Sequence, residues 1–142
     1  MSDIRVVTRN TTTGVLTIGI PRPPEYVSGI ELLVQIVVIE LLGSPGRDIF
    51  DPNDGGNIRS LVGSNIGFDD EGEVFAEVRM MISATEENII RKQRTSQRPA
   101  SERLAKLELV DIVPDEENAQ LEIILRVVAQ DQQDTEAIVG LQ

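Results

Sequence analysis

The 13 residues from Ile30 to Leu42 contain only three polar side chains, Glu31, Gln35 and Glu40, and this run constrains the fold more than any other segment. Ahead of it, Ser28-Gly29-Ile30-Glu31 has the form of a capping box, in which the serine oxygen accepts from the amide three residues on and the glutamate reaches back. Behind it, Gly43-Ser44-Pro45-Gly46 is a stop signal. The β-branched stretch Ile36-Val37-Val38-Ile39 would also suit a strand, but length, start and stop together predict a helix. So narrow a polar face requires cover on more than one side, which makes this the central core helix of the domain. The run is also shorter than the roughly 18 to 20 apolar residues that span a bilayer, and Met1 to Arg9 has no apolar signal core.

Short β-rich runs precede the helix. Asp3 to Thr8 and Gly14 to Ile20 read as two strands around a polar turn at Asn10 to Thr13, and Pro21, Pro23 and Pro24 make Pro21 to Val27 a stiff extended connector. After the helix, Gly43 to Phe68 carries Pro-Gly, Asp-Pro and Gly-Gly turn signals. It is long enough to be either an ordered surface loop or a contact with a partner. Asp69 or Asp70 can cap a second helix whose Val74, Val78, Met81, Ile82, Thr85 and Ile89 share one face, fading between Ile90 and Thr95. Leu104 to Val113 and Ala119 to Ala129 predict a hairpin closed at Pro114 to Asn118. The expected class is α+β, one small domain over residues 1–129 with N-terminal strands, two main helices and a C-terminal β-hairpin. Residues 130–142 are expected to form a polar C-terminal tail, either a frayed end or an arm, with Ala137-Ile138-Val139 as its apolar tip.

Composition narrows the chemistry. With no His and no Cys, the common zinc, iron and copper sites and the Ser-His-Asp and Cys-His nucleophilic centres cannot be built, and no metal, cofactor-binding or catalytic residue is nominated. Asp51-Pro52-Asn53-Asp54-Gly55-Gly56 has the outline of a calcium loop, but Gly55 and Val62 stand where oxygen ligands belong, so it reads as a turn. A carboxylate-dependent cell-wall glycosidase is the alternative function. It needs a carboxyl held protonated by an apolar wall and a sugar-binding groove, and the chain has no Trp and only Tyr26, Phe50, Phe68 and Phe75 as aromatics.

The net charge of −11 argues against nucleic acid and anionic membranes as partners. Arg91 to Lys106 departs from it: Arg91, Lys92, Arg94, Arg98, Arg103 and Lys106 face one acid, Glu102. That cluster is either a solvated helix end or an electrostatic docking surface for an acidic partner.

The block Val27 to Gly56 resembles the baseplate assembly protein W family, also called lysozyme-like baseplate wedge proteins, the sheath initiators of contractile tails. Gly29, Gln35, Leu41, Leu42, Gly46, Pro52 and Gly55 match the family pattern in order and spacing, and the likeness extends over about Gly14 to Val128. The family's Glu-Pro-Arg motif is reduced here to Ser101-Glu102-Arg103-Leu104, with Arg103 in register, and Arg91 to Ala100 looks like an insertion. The resemblance implies a non-enzymatic structural protein of the virion tail baseplate, assembled in the host cytoplasm. It would stand in six copies between the wedge proteins and the first ring of sheath protein, with the tail tube as a further neighbour. Sheath subunits of such machines interlock by exchanging strands. On this reading the partner-binding residues are Arg98, Arg103, Leu104 and Lys106, then Leu121, Ile123 and Leu125 on the hairpin, and Ile138 and Val139 on the tail.

Overall fold

The expected core helix forms as α1, Gly29–Leu42, but its start is built differently from a capping box. Ser28 is the N-cap residue and its side chain makes no capping hydrogen bond. Gly29 sits at φ +64°, a region that favours glycine, and its N–H donates instead to Glu102 Oε1 at 3.2 Å, from far along the chain. Glu31, the other half of the expected box, accepts from Arg5 Nη2 at 2.7 Å. A tertiary carboxylate therefore takes the place of the local cap and ties the helix start to the C-terminal half of the molecule.

The computed structural model describes residues 2–9, 12–19, 21, 24–43, 55, 58, 71–115 and 120–141. Around α1 they form an α+β domain with β1 (Ser2–Ile4), β2 (Val7–Arg9), β3 (Val15–Ile18), β4 (Tyr26–Ser28), α2 (Glu71–Gln93), β5 (Leu104–Asp115), β6 (Gln120–Ala129) and β7 (Asp134–Leu141). β1 and β4 make a two-stranded ribbon, and a five-stranded sheet runs in the order β2-β3-β7-β6-β5. The N-terminal hairpin forms as β2 and β3. The first expected strand is divided, however, and its leading part, β1, pairs with β4 at the end of the proline-rich connector.

Burial follows the periodicities. Val74, Val78, Ile82, Thr85 and Ile89 turn the expected face of α2 into the core, with Met81 packed at its margin. Leu33, Val37, Val38 and Leu41 of α1 are fully buried, in keeping with its apolar circumference. In the sheet, Leu121, Ile123, Leu125 and Val127 of β6 face the helices, while Glu122 and Arg126 alternate onto the opposite face.

The expected polar tail is not a tail. Gln130 to Gln133 form a tight turn in which Asp131 Oδ1 accepts the N–H of Gln133 at 3.1 Å and Gln132 takes φ +73°. The chain returns as β7, antiparallel to β6 and parallel to β3, in the middle of the sheet. Ala137, Val139 and Leu141 are buried. The expected boundary at residue 130 therefore falls inside one cooperative sheet, because alternate residues of this segment are apolar and complete the core layer between β3 and β6.

Candidate partner interface

The sheet has two edges, and β5 is the longer. The Leu107 N–H donates to Glu86 Oε2 of α2 at 2.7 Å, so Leu107 faces away from β6. Backbone direction alternates along a strand, so Leu109 faces the same way. Irregularities in register fall at Leu104/Lys106 and Leu109/Asp111. Beyond the second, the Ile112 N–H donates to Asp111 Oδ1 at 2.8 Å, and Pro114 has no N–H to offer. Three outward positions therefore have their donors closed, while their carbonyls and the Leu109 peptide face outward. Such partial closure protects an edge against indiscriminate pairing yet leaves it competent for a strand that brings its own donors.

This edge lies beside a groove of about 630 Å³ between α2 and β5, lined by Arg79, Met80, Ser83, Glu86, Lys106 and Leu109. Met80 is an exposed apolar side chain of the groove, and Val110 and Val113 are exposed apolar side chains on β5. Lys106 Nζ lies 2.6 Å from Glu108 Oε1, and Arg126 Nη1 lies 3.8 Å from Glu108 Oε2. The hydrogen bond and charge of Glu108 raise the Lys106 pKa, and the same contact with Lys106 lowers that of Glu108. Both groups are solvent-exposed, so the ladder orients side chains more than it stabilises the fold.

A second constellation surrounds the short 3-10 turn Ala100–Glu102. Glu102 is 1 % exposed and accepts from the start of α1, with Arg98 Nη1 at 3.7 Å from its Oε2. Gln93 fastens the turn from α2: its Nε2 donates to Glu102 O at 3.1 Å and its Oε1 accepts from the Leu104 N–H at 2.8 Å. The Gln130 N–H donates to Arg103 O at 2.9 Å. The backbone of Arg103 is thus held from two sides. Its Nε is buried without a hydrogen-bond partner, and no carboxylate among the described residues pairs with its guanidinium. A pre-positioned cation of this kind suits a carboxylate brought by another molecule.

The nominated residues divide into two groups. Arg98 lies against Glu102 of the turn, Arg103 follows Glu102 in the chain, and Lys106 stands exposed on β5. Leu104, Leu121, Ile123, Leu125 and Val139 are 0 to 3 % exposed and belong to the core, so their side chains are not available to a partner. Leu121, Ile123 and Leu125 also lie on β6, whose backbone is paired on both sides by β5 and β7, so β6 offers no edge. Ile138 points to the other sheet face, half-buried opposite Ile124. Of the basic cluster, Lys92 is already engaged by Glu40 Oε2 at 3.0 Å, and Glu40 Oε1 accepts the Gly55 N–H at 3.0 Å.

Sequence reasoning missed Glu86, Asp111 and Pro114 as guards of the edge, and Val110 as its exposed apolar residue. The clustering of an acid and a proline at the end of an aliphatic strand was the available signal. The calcium-like turn Asp51 to Gly56 and the caps Asp69 and Asp70 lie outside the described residues, except for Gly55. Among the described residues no group of three acidic side chains is placed to hold a metal ion, and no helix is long and apolar enough to cross a membrane. Comparison with family models, with curated proteins and with solved structures gives no match to this chain.

Proposed function

We propose that this chain is a structural adaptor of a contractile-tail baseplate, joining the wedges to the first sheath ring and templating sheath assembly by accepting a strand at β5. The observation that carries the reading is the outer edge of β5, which offers open carbonyls and a free Leu109 peptide beside a groove lined by Met80 and Leu109, with Val110 and Val113 exposed on the strand itself. Strand addition satisfies backbone groups with little dependence on side-chain identity, which suits a template that must start a repeating polymer. Because the C-terminal segment is bound within the sheet as β7, the exchanged strand comes from the sheath subunit and this chain is the acceptor.

The resemblance over Val27 to Gly56 supports the same reading, and the matched residues that are described have structural tasks. Gly29 carries the helix start, Gly55 donates to Glu40, and Gln35 joins α1 to the N-terminal strands. The basic turn is the surface proposed to meet an acidic wedge protein, with Arg103 as its fixed donor.

Arg103→Ala tests that assignment. Its guanidinium engages no described carboxylate, so the variant should melt within a few degrees of the parent. Its co-sedimentation with sheathless baseplates should weaken by about 10-fold or more, the magnitude of a lost charge-assisted hydrogen bond. Undiminished co-sedimentation would remove the basic turn from the wedge contact.

A further inference from the structure

We infer that the opposite edge of the sheet, at β2, is a second docking site, which takes an extended segment carrying an aliphatic and an acidic side chain two residues apart. A cleft of about 170 Å³ opens between α1 and the β2 side of the sheet, with Val7, Leu16, Ile30 and Val34 as its apolar lining and Arg5, Arg9, Glu31, Gln35 and Thr135 as its polar lining. Arg5, Val7 and Arg9 are alternate residues, so all three present one face of the chain to the cleft.

The backbone beside this cleft is closed at one end and open at the other. Gln35 Oε1 accepts the N–H groups of Val6 at 2.8 Å and Val7 at 3.3 Å, while Gln35 Nε2 donates to Ile4 O at 3.0 Å. The Gly19 N–H donates to Val6 O, which sets Val6 toward β3 and Val7 away from it. By alternation Arg9 also faces away, with its N–H and C=O directed off the sheet. An incoming strand can therefore pair at the Val7 carbonyl and the Arg9 peptide, just past the Gln35 cap. Its inward side chains would then lie over Ile30 and Val34.

Charge identifies the occupant. Arg5 is answered within the chain by Glu25 at 3.0 Å and Glu31 at 2.7 Å. Arg9, exposed and four residues farther along the same face, has no acidic partner among the described residues. Glu31 also lines the cleft, where it is paired with Arg5, and the Debye length of about 8 Å at physiological salt screens the more distant acids, so Arg9 is the cation left for a ligand at the cleft. The aliphatic member would sit against Val7 and Val34, and the carboxylate one repeat on would meet the Arg9 guanidinium. This site lies at the far edge from β5, and its occupancy does not depend on the contractile-tail reading.

The probes are three end-blocked peptides, Thr-Val-Thr-Xaa-Thr-Val-Thr, with Xaa as Glu, Gln or Lys, titrated into the full chain at 0.15 M salt and followed by backbone amide NMR. The Glu peptide should bind at least 10-fold more tightly than the Lys peptide, with shifts concentrated on residues 7–9 and 30–35. Arg9→Glu should reverse the order, and Arg9→Gln should level it; both changes are at an exposed residue and should leave the melting curve in place. Absence of binding by all three peptides, equal binding of Glu and Lys forms, or shifts confined to β5 would each overturn the proposal.

Discussion

Deleting Asp134 to Gln142 should abolish the folded state. β7 is paired on both sides, to β6 along its whole length and to β3 at Val15 and Leu16. Its removal strips Ala137, Val139 and Leu141 from the core, all of them 0 to 3 % exposed. Burial of one Val or Leu side chain contributes about 1.5 to 3 kcal/mol. The deletion also leaves the buried row of β6 uncovered at one side and separates β2 and β3 from the rest of the sheet. Against a total stability of about 5 to 15 kcal/mol, these losses leave no cooperative unit. The measurement is soluble yield with a thermal melt by circular dichroism. A truncated protein that stays soluble and melts cooperatively near the parent temperature would mean that β7 is a detachable arm after all.

Leu33→Asp and Val37→Asp should be nearly as severe. Both side chains are 0 % exposed on α1 and belong to the core cluster shared with α2 and the sheet. An isolated carboxylate placed in this apolar cluster costs several kcal/mol whether it stays charged or takes up a proton. Both variants should accumulate as insoluble protein. Met80→Asp, on the outward face of α2 at 68 % exposure, supplies the contrast and should shift stability by no more than about 0.5 kcal/mol. A soluble Leu33→Asp protein with the parent's spectrum would contradict the central position of α1.

The sequence disclosed the elements whose signals are local. α1 was legible from its apolar circumference and its glycine stop, α2 from the spacing of Val74, Val78, Ile82, Thr85 and Ile89, and the β5–β6 hairpin from alternation around a polar loop. β7 was not, because Gln130 to Asp134 has the composition of a linker. What makes the segment a strand is its pairing with β6 and, far away in sequence, with β3. Strand formation of that kind depends on tertiary neighbours more than on local propensity. The capping box failed for a related reason: Ser28 and Glu31 have the right spacing, but Glu102 reaches Gly29 first and Arg5 engages Glu31. The polar interruptions of the core helix were visible as letters, yet their tasks were not. Gln35 satisfies the N-terminal strands and Glu40 links Gly55 to Lys92.

The candidate interface was legible only in part. Of the residues nominated for partner binding, Arg98 and Arg103 lie at the turn and Lys106 is exposed on β5, while five apolar nominees belong to the core. An apolar residue in a strand reads the same whether it packs inward or awaits a partner. Only strand order decides, and it leaves β5 and β2 as the edges.

Sheath seeding is the most direct test of the central claim. Baseplates with tubes but lacking this chain would be supplied with purified protein and then with sheath subunits, and sheath length counted by electron microscopy. The parent protein should restore full-length sheaths. Val110→Lys places a charge on the exposed flank of β5, where Val110 is 44 % exposed, and lysine on an edge strand blocks pairing without disturbing the core. That variant should melt like the parent and still join the baseplate, yet seed few or no sheaths. Full-length sheaths at the parental frequency on Val110→Lys baseplates would contradict strand acceptance at β5.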